Sequence, residues 1–288
     1  MSENLFKVIE SKMSDFSKGQ RLIAKYILEN YDKAAYMTAS KLGTTVGISE
    51  STVVRFAMEI GFAGYPEFLK ELQSTIKNKL TAVQRIEVAK SRIDENDVLS
   101  GVLNSDIEKI RLTLENIDKE TFSTAVKSII SAKRIYIIGV RSSAPLAAFI
   151  DFYFNLIFEN VKLVNTASAS EMFEQMLRVS KDDVVIGISF PRYSKRTVKA
   201  MQFANDNGAN VIAITDTENS PMCQYANTVL AARSDMVSFV DSLVAPLSLI
   251  NSLIVAISMA KKEDVSLSFE KLENVWDEYD VYEKLNNE

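Results

Sequence analysis

Three short stretches carry residues whose types and spacing could do chemistry. "SESTVVR", residues 49 to 55, sets three hydroxyls, a carboxylate and an arginine at the head of an apolar-periodic run. "IIGVRSSAPLA" follows Gly139 with Arg141, Ser142 and Ser143. "GISFPRYSKRT" groups Ser189, Arg192, Ser194, Lys195, Arg196 and Thr197. Hydroxyls and guanidinium groups donate hydrogen bonds to anions and base edges, so all three stretches suit recognition better than bond-making.

Composition narrows the chemistry further. The 288 residues include no histidine and a single cysteine, Cys223. A Ser-His-Asp triad is therefore excluded, and so is a Cys/His zinc site. Catalysis would fall to carboxylates, lysines or tyrosines. No catalytic residue, no metal and no cofactor is expected. The lone cysteine allows no intrachain disulfide and fits a reducing compartment. No basic-then-apolar leader opens the chain, so a cytoplasmic protein is expected. The net charge of −5 is uneven: residues 1 to 80 hold eleven basic against nine acidic residues, and the remainder carries −7. A mildly basic segment on an acidic body points towards a polyanion partner.

The elements that must position these residues fall into two textures. Up to about residue 80 every apolar pattern has a helical period, as in "LFKVIESKM" and "QRLIAKYILENY". Ala39, Leu42 and Val46 form one apolar face, and Gly47 can adopt the left-handed conformation that ends that helix. Ser49 stands where an N-cap belongs, with its hydroxyl expected on the amide near Thr52. Val53, Phe56, Ala57 and Ile60 then recur at i, i+3, i+4 and i+7 as a buried stripe. The opposite face shows Ser51, Thr52 and Arg55, with Glu50 at its edge. Two short helices joined at a glycine turn have helix-turn-helix geometry, although a capped hairpin in a plain bundle would show the same spacing. In a groove, Arg55 would reach a guanine edge or a phosphate, and Ser51 and Thr52 either; Ser49 and the helix start suit a phosphate.

Residues 79 to 103 are polar and read as a connector between a domain at 1–78 and another at 104–288. Beyond two more helical patterns the texture changes. "RIYIIGV", "VKLVN", "DVVIGISF", "NVIAIT" and "NTVLAA" are short, apolar and β-branched, with helical segments between them. Such runs predict an α/β fold with a parallel sheet of about five strands, covered by helices on both faces. Both serine-bearing turns follow strands, and ligands in such sheets bind at the strands' carboxyl ends. Residues 239 to 262 approach membrane-spanning length, but Asp241, Pro246, Asn251 and several serines interrupt them. A buried helix at a core or subunit interface is expected there, with no membrane association.

The first stretch has a specific resemblance. "LGTTVGISESTVVRFAMEIGFAGYPEF" resembles the amino-terminal domain of RpiR-type bacterial regulators, through Ile48-Ser49, Thr52-Val53, Arg55-Phe56, Ile60-Gly61-Phe62, Gly64-Tyr65 and Phe68. Gly43 departs from the family, which usually has a better helix former there. The resemblance implies DNA binding through Ser49, Glu50, Ser51, Thr52 and Arg55. Residues of about 120 to 255 look like the sugar-isomerase-type (SIS) domain, which binds phosphosugars and follows the helix-turn-helix in that family. Its first loop falls on Gly139 to Ser143, with Ser143 at the phosphate-binding serine. Its second falls on Ser189 to Ser194. Arg141 replaces a loop glycine, Pro191 and Arg192 replace Ser-Gly, and Ser194 takes a threonine's place. The implied ligand residues are Arg141, Ser142, Ser143, Ser189, Arg192 and Ser194, for a phosphate or a carboxylate headgroup. "ITDTENSP" also matches a family turn at Thr215, Asp216, Ser220 and Pro221, read here as a rigid surface turn.

Three function classes follow. The first is a transcriptional regulator that binds a double-stranded DNA operator as a homodimer or higher homo-oligomer, senses a small anion and controls carbohydrate-metabolism genes. The second is a sugar-phosphate isomerase, for which Glu171 and Glu174 are the base candidates against a solvated or capping helix face. The third is a ligand-binding module without DNA. The amphipathic "FEKLENVWDEYDVYEKL" is expected to pack on its own domain or a sister subunit through Phe269, Leu272, Val275, Trp276 and Tyr279.

Overall fold

The computed structural model describes residues 5–76, 80–90, 94, 96–166, 168–236 and 239–282. The connector at 79–103 therefore lies partly outside the described residues. The chain divides into two units, Met1–Val102 with Met236–Asp241, and Leu103–Asp235 with Ser242–Glu288.

The first unit is helical because its apolar residues recur at helical spacing and its helix starts carry capping hydroxyls. It comprises α1 (Leu5–Ser11), α2 (Lys18–Glu29), α3 (Tyr31–Ala34), α4 (Ala39–Val46), α5 (Glu50–Glu59), α6 (Tyr65–Ile76) and α7 (Ala82–Lys90). Ser17 and Gln20 form a reciprocal capping box on α2, and the Thr38 hydroxyl caps α4. The family-like aromatics prove to be core. Phe56 packs on Phe16 at 5.1 Å and on Phe68 at 5.9 Å between ring centroids, and Phe68 also meets Phe62 and Tyr65. The Tyr65 hydroxyl donates to the Met37 carbonyl at 2.9 Å, and burial pushes its pKa up to about 12.

The Met236–Asp241 segment, though it lies between two elements of the second unit's sequence, belongs to the first. Asp241 pairs with Arg85 of α7 at 2.7 Å, and Arg85 is only 2% exposed. Met236 packs against the helical core.

The second unit alternates strands and helices. α8 (Val98–Asn116) begins in the first unit and continues here, followed by α9 (Lys119–Ser131), β1 (Ile135–Gly139), α10 (Ala144–Asn155) and β2 (Val161–Leu163). Then come α11 (Ala169–Met176), β3 (Val184–Ile188), α12 (Lys195–Asp206), β4 (Asn210–Thr215) and β5 (Thr228–Ala231). The unit closes with α13 (Val244–Ala260) and α14 (Lys262–Glu278). The five strands are all parallel, in the order β2-β1-β3-β4-β5. Alternate residues of β1 separate two cores. Ile135 and Ile137 join α9, α10 and α13 on one face, while Tyr136 and Ile138 join α11 and α12 on the other. At the amino edge Arg134 clamps buried Asp183 through hydrogen bonds of 2.9 and 2.8 Å.

α13 is a core helix, burying Leu249, Ile250, Leu253, Ile254 and Ile257. No single described helix is long and apolar enough to cross a membrane; α13 and α14 meet that test only as a pair bent by 97°. In α14 Phe269, Leu272 and Trp276 are half-buried, whereas Leu267, Val275 and Tyr279 are exposed and no residue is fully buried, so the expected packing on its own unit is partial.

Candidate functional site

α4 and α5 meet as the periodicity predicts, and the turn between them explains two glycines. Gly47 ends α4 at φ 74°, in the left-handed region. Gly43 is required by close approach: a Cβ there would meet the Ile48 carbonyl oxygen at 2.6 Å. The helix former usual in the family would collide with this turn, so the departure at Gly43 has a packing reason.

Ser49 is the N-cap residue of α5 by position, but its hydroxyl makes no capping bond to a helix amide. It pairs instead with the Thr52 and Ser51 hydroxyls, at 2.9 and 3.0 Å, which corrects the expected amide bond. Arg55 folds back along the helix towards the Ser51 carbonyl and the Thr52 hydroxyl, at 3.4 and 3.5 Å. Val53, Phe56, Ala57 and Ile60 are buried, whereas Ser49, Glu50, Ser51 and Arg55 are exposed and Thr52 half-buried. A patch of hydroxyls with one guanidinium thus covers the start of α5, with its donors directed by one another rather than locked into the fold.

In the second unit the chain runs from β1 outward to β2, then returns to place β3 on the other side of β1. This reversal puts the carboxyl ends of β1 and β3 at a topological switch point, the place where open parallel sheets bind ligands. Gly139 pairs with Ile188 across those ends, so the two serine-bearing loops leave adjacent strands.

After β1, Arg141 to Ser143 form a single 3-10 turn into α10; Ser143 is buried, while Arg141 and Ser142 are exposed. A Cβ on Gly139 would meet the Ser143 carbonyl oxygen at 2.7 Å, so only glycine lets the turn fold back this tightly. After β3, buried Ser189 accepts the Ser194 amide at 3.0 Å. Ser194 caps α12 by accepting the Arg196 and Thr197 amides at 3.2 and 3.4 Å. Each serine oxygen is used as an acceptor, which leaves its hydroxyl proton available to an anion.

Other residues brace these loops, and two were underestimated by sequence. Asp216 is buried, 8% exposed, and accepts the Tyr193 hydroxyl at 2.6 Å, so the turn after β4 is an internal brace rather than a surface turn. Burial, then the Asp216 charge, raises the Tyr193 pKa above its ordinary value. Thr197 is fully buried at the head of α12, and its hydroxyl finds no partner among the described residues. No periodicity marks a buried hydroxyl of this kind. Arg196 donates to the Thr166 carbonyl at 2.7 Å, so it holds the loop after β2. Glu171 accepts the Thr166 hydroxyl, and Glu171 and Glu174 are both exposed. Both carboxylates lie on the solvent-facing side of α11. Among the described residues no cluster of acidic or cysteine side chains could hold a metal.

With this geometry in view, the family comparisons are decisive at the level of domain. The rpiR-family helix-turn-helix domain matches residues 3–79, and the SIS domain matches residues 128–256. The chain belongs to the RpiR-type transcriptional regulators. An uncharacterised HTH-type regulator of Haemophilus influenzae is 28% identical over 80% of both chains. The regulator HexR of Escherichia coli is 27% identical over 79% of this chain and 77% of its own. Among solved structures, the sugar isomerase domain of an RpiR transcription factor from Sphaerobacter thermophilus covers 62% of this regulator and 99% of itself. Its TM-score is 0.59 at 25% identity. Vibrio vulnificus NanR complexed with ManNAc-6P covers 95% of this regulator and 98% of itself, with TM-score 0.56 at 22% identity, a likeness of fold.

Proposed function

We propose that this regulator reads a DNA operator with the exposed start of α5 and senses a small anionic metabolite at the carboxyl ends of β1 and β3. The single observation that carries the DNA half is the division of α5. Its stripe is consumed by the core, while Ser49, Glu50, Ser51, Thr52 and Arg55 are left on a hydrophilic face. A helix amino terminus with solvent-facing hydroxyls suits a backbone phosphate, and Arg55 suits a guanine edge. One such unit is a weak polyanion binder, because its first 80 residues net only two positive charges. Two units acting together in a homodimer or larger homo-oligomer supply the footprint.

For the sensor half, Arg141, Ser142, Ser143, Ser189, Arg192 and Ser194 are the ligand residues in this reading. The ligand class is a phosphosugar or related acid. NanR, solved with ManNAc-6P, shares the fold. The working division is a DNA-binding domain at 1–78, a connector at 79–103 and a sensor domain at 104–288, acting in the cytoplasm on carbohydrate-metabolism genes. Ligand alters operator affinity only through different affinities for two arrangements of the protein, a coupling of about 1–3 kcal/mol in typical cases.

The test uses duplexes selected by the intact regulator from a random pool. Titration of a selected duplex with and without a panel of phosphosugars and sugar acids should show one class shifting DNA affinity about 5- to 150-fold. An affinity unmoved across the panel removes the sensor assignment. Turnover of any of those sugar phosphates by the same protein would favour the isomerase.

A further inference from the structure

The helix α8 is amphipathic with its two sides exchanged. Among its described residues only Lys109 and Thr113 are buried. Both are satisfied inside the second unit. The Lys109 ammonium donates to the Ser105 hydroxyl at 2.7 Å and to the Asp106 carboxylate at 3.4 Å, and Asp106 also accepts the Ser242 hydroxyl at 2.6 Å. The Thr113 hydroxyl donates to the Lys109 carbonyl at 2.8 Å and accepts the Arg233 amide at 2.9 Å. The polar side of α8 is therefore the side its own unit covers, and these bonds fix which way the helix faces.

The apolar side is turned to solvent. Leu103, Ile107, Ile110 and Leu114 are all exposed, from 37% at Ile110 to 69% at Leu114. They recur at steps of four, three and four residues, so one stripe runs along the helix. That is the spacing of helices that pair by knobs into holes. Leucine and isoleucine left together in water mark a surface that a partner covers.

The order of the stripe says which partner. From either end it reads Leu, Ile, Ile, Leu with the same spacing, so reversal leaves it unchanged. A two-fold axis sets a helix against its own reversed copy, and a two-fold interface must be complementary to itself. With the axis crossing between Glu108 and Lys109, Leu103 faces Leu114 of the second copy, and Ile107 faces Ile110 of the second copy. The charges agree. Arg111 bonds Glu108 at 2.6 Å and Glu115 at 2.5 Å along one flank of the stripe. Reversal brings Arg111 within a turn of Glu108 of the second copy, so that flank meets itself with opposite signs. We infer that two copies of this regulator pair through α8, antiparallel, across a two-fold axis at the middle of the stripe. The inference rests on the homo-oligomer reading above and names its seam and direction.

Sedimentation velocity of the intact protein tests the seam, with the native chain, Ile107→Lys and the conservative Ile107→Leu. Ile107 is exposed within one chain, so both variants should keep the native circular dichroism spectrum. Pairing puts like charges together in Ile107→Lys, which should weaken the dimer about a hundredfold or more, whereas Ile107→Leu stays dimeric. Direction is read in a Cys223→Ser background with a short bis-maleimide. Leu103→Cys and Leu114→Cys chains, co-expressed, should cross-link to each other, and neither should cross-link when expressed alone. A native dimer that a folded Ile107→Lys leaves intact overturns the seam and leaves the homo-oligomer standing. Cross-linking of either cysteine variant alone, or none in the co-expressed pair, overturns the antiparallel arrangement; if Ile107→Lys loses its native spectrum, this arm decides by itself. A monomeric native protein overturns the homo-oligomer reading as well and gives the stripe to a different partner.

Discussion

The turn between α4 and α5 and the loops after β1 and β3 ask the backbone for the same left-handed conformation and answer it with opposite residues. Gly47 supplies it at φ 74° with no side chain to strain. Arg141 and Arg192 supply it at 57° and 66° with the longest cationic side chain available. In the helical unit, residue type and local geometry agree, and the turn serves packing. In the loops after β1 and β3 they conflict, and the surrounding fold maintains the conflict. The proposed DNA-reading face follows the first pattern: everything beneath it is ordinary core, and only its exposed hydroxyls and Arg55 are left over.

The largest effect that sharpens this comparison lies in the core under α5. Phe56→Ala removes a fully buried ring packed on Phe16 and Phe68, and should cost about 3–5 kcal/mol in denaturant unfolding of the helical unit. A loss under 1 kcal/mol would mean that the motif aromatics are not its core.

Tyr65 offers the same test by pH. Its pKa rises from 10.0 to about 12 on folding, so its neutral form is favoured in the native state. The stability this contributes is complete below pH 10 and is lost as pH climbs through about 12. Tyr65→Phe should flatten that part of the alkaline stability curve; an identical decline in the variant would assign it elsewhere.

Two substitutions should then move stability in opposite directions. Gly47→Ala forces a side chain into the left-handed region and should cost about 1 kcal/mol. Arg141→Gly and Arg192→Gly should each be neutral or stabilising by up to about 1 kcal/mol, because strain is relieved while the unfolded chain gains freedom. Loss of stability on both arginine substitutions would erase the contrast. The smallest effect is at Ser49. Because its hydroxyl bonds Ser51 and Thr52 rather than an amide, Ser49→Ala should cost under about 0.5 kcal/mol, below the roughly 1 kcal/mol of a true cap.

The sequence and the structure part company at points with a common physical cause. The α5 stripe, the Gly47 stop and the apolar strand runs are carried by local periodicity and backbone preference, so they can be read along the chain. The order β2-β1-β3-β4-β5 cannot, because continuous apolar strands do not encode their neighbours. The need for Gly43 comes from the Ile48 carbonyl across the turn, and the burial of Asp216 comes from Tyr193, distant in sequence. Ser49 misled because a capping position fixes where a hydroxyl sits, not which neighbour it bonds. α14 is amphipathic by pattern, yet its own unit covers that side only in part, at Phe269, Leu272 and Trp276. The serines and arginines of the loops after β1 and β3, on which the proposed anion site rests, can be read along the chain, whereas the left-handed backbone at Arg141 and Arg192 cannot.

The polar face of α5 carries the proposed DNA contact, and one titration addresses it directly. A duplex selected from a random pool by the intact regulator is titrated by fluorescence anisotropy against the native protein and the Thr52→Ala/Arg55→Ala double variant. With base-edge contacts at about 1–3 kcal/mol each, the variant should bind about thirtyfold to ten-thousandfold more weakly while keeping its native melting temperature. A variant that is folded and binds the selected duplex as tightly as the native protein would contradict the assignment of α5 as the reading helix.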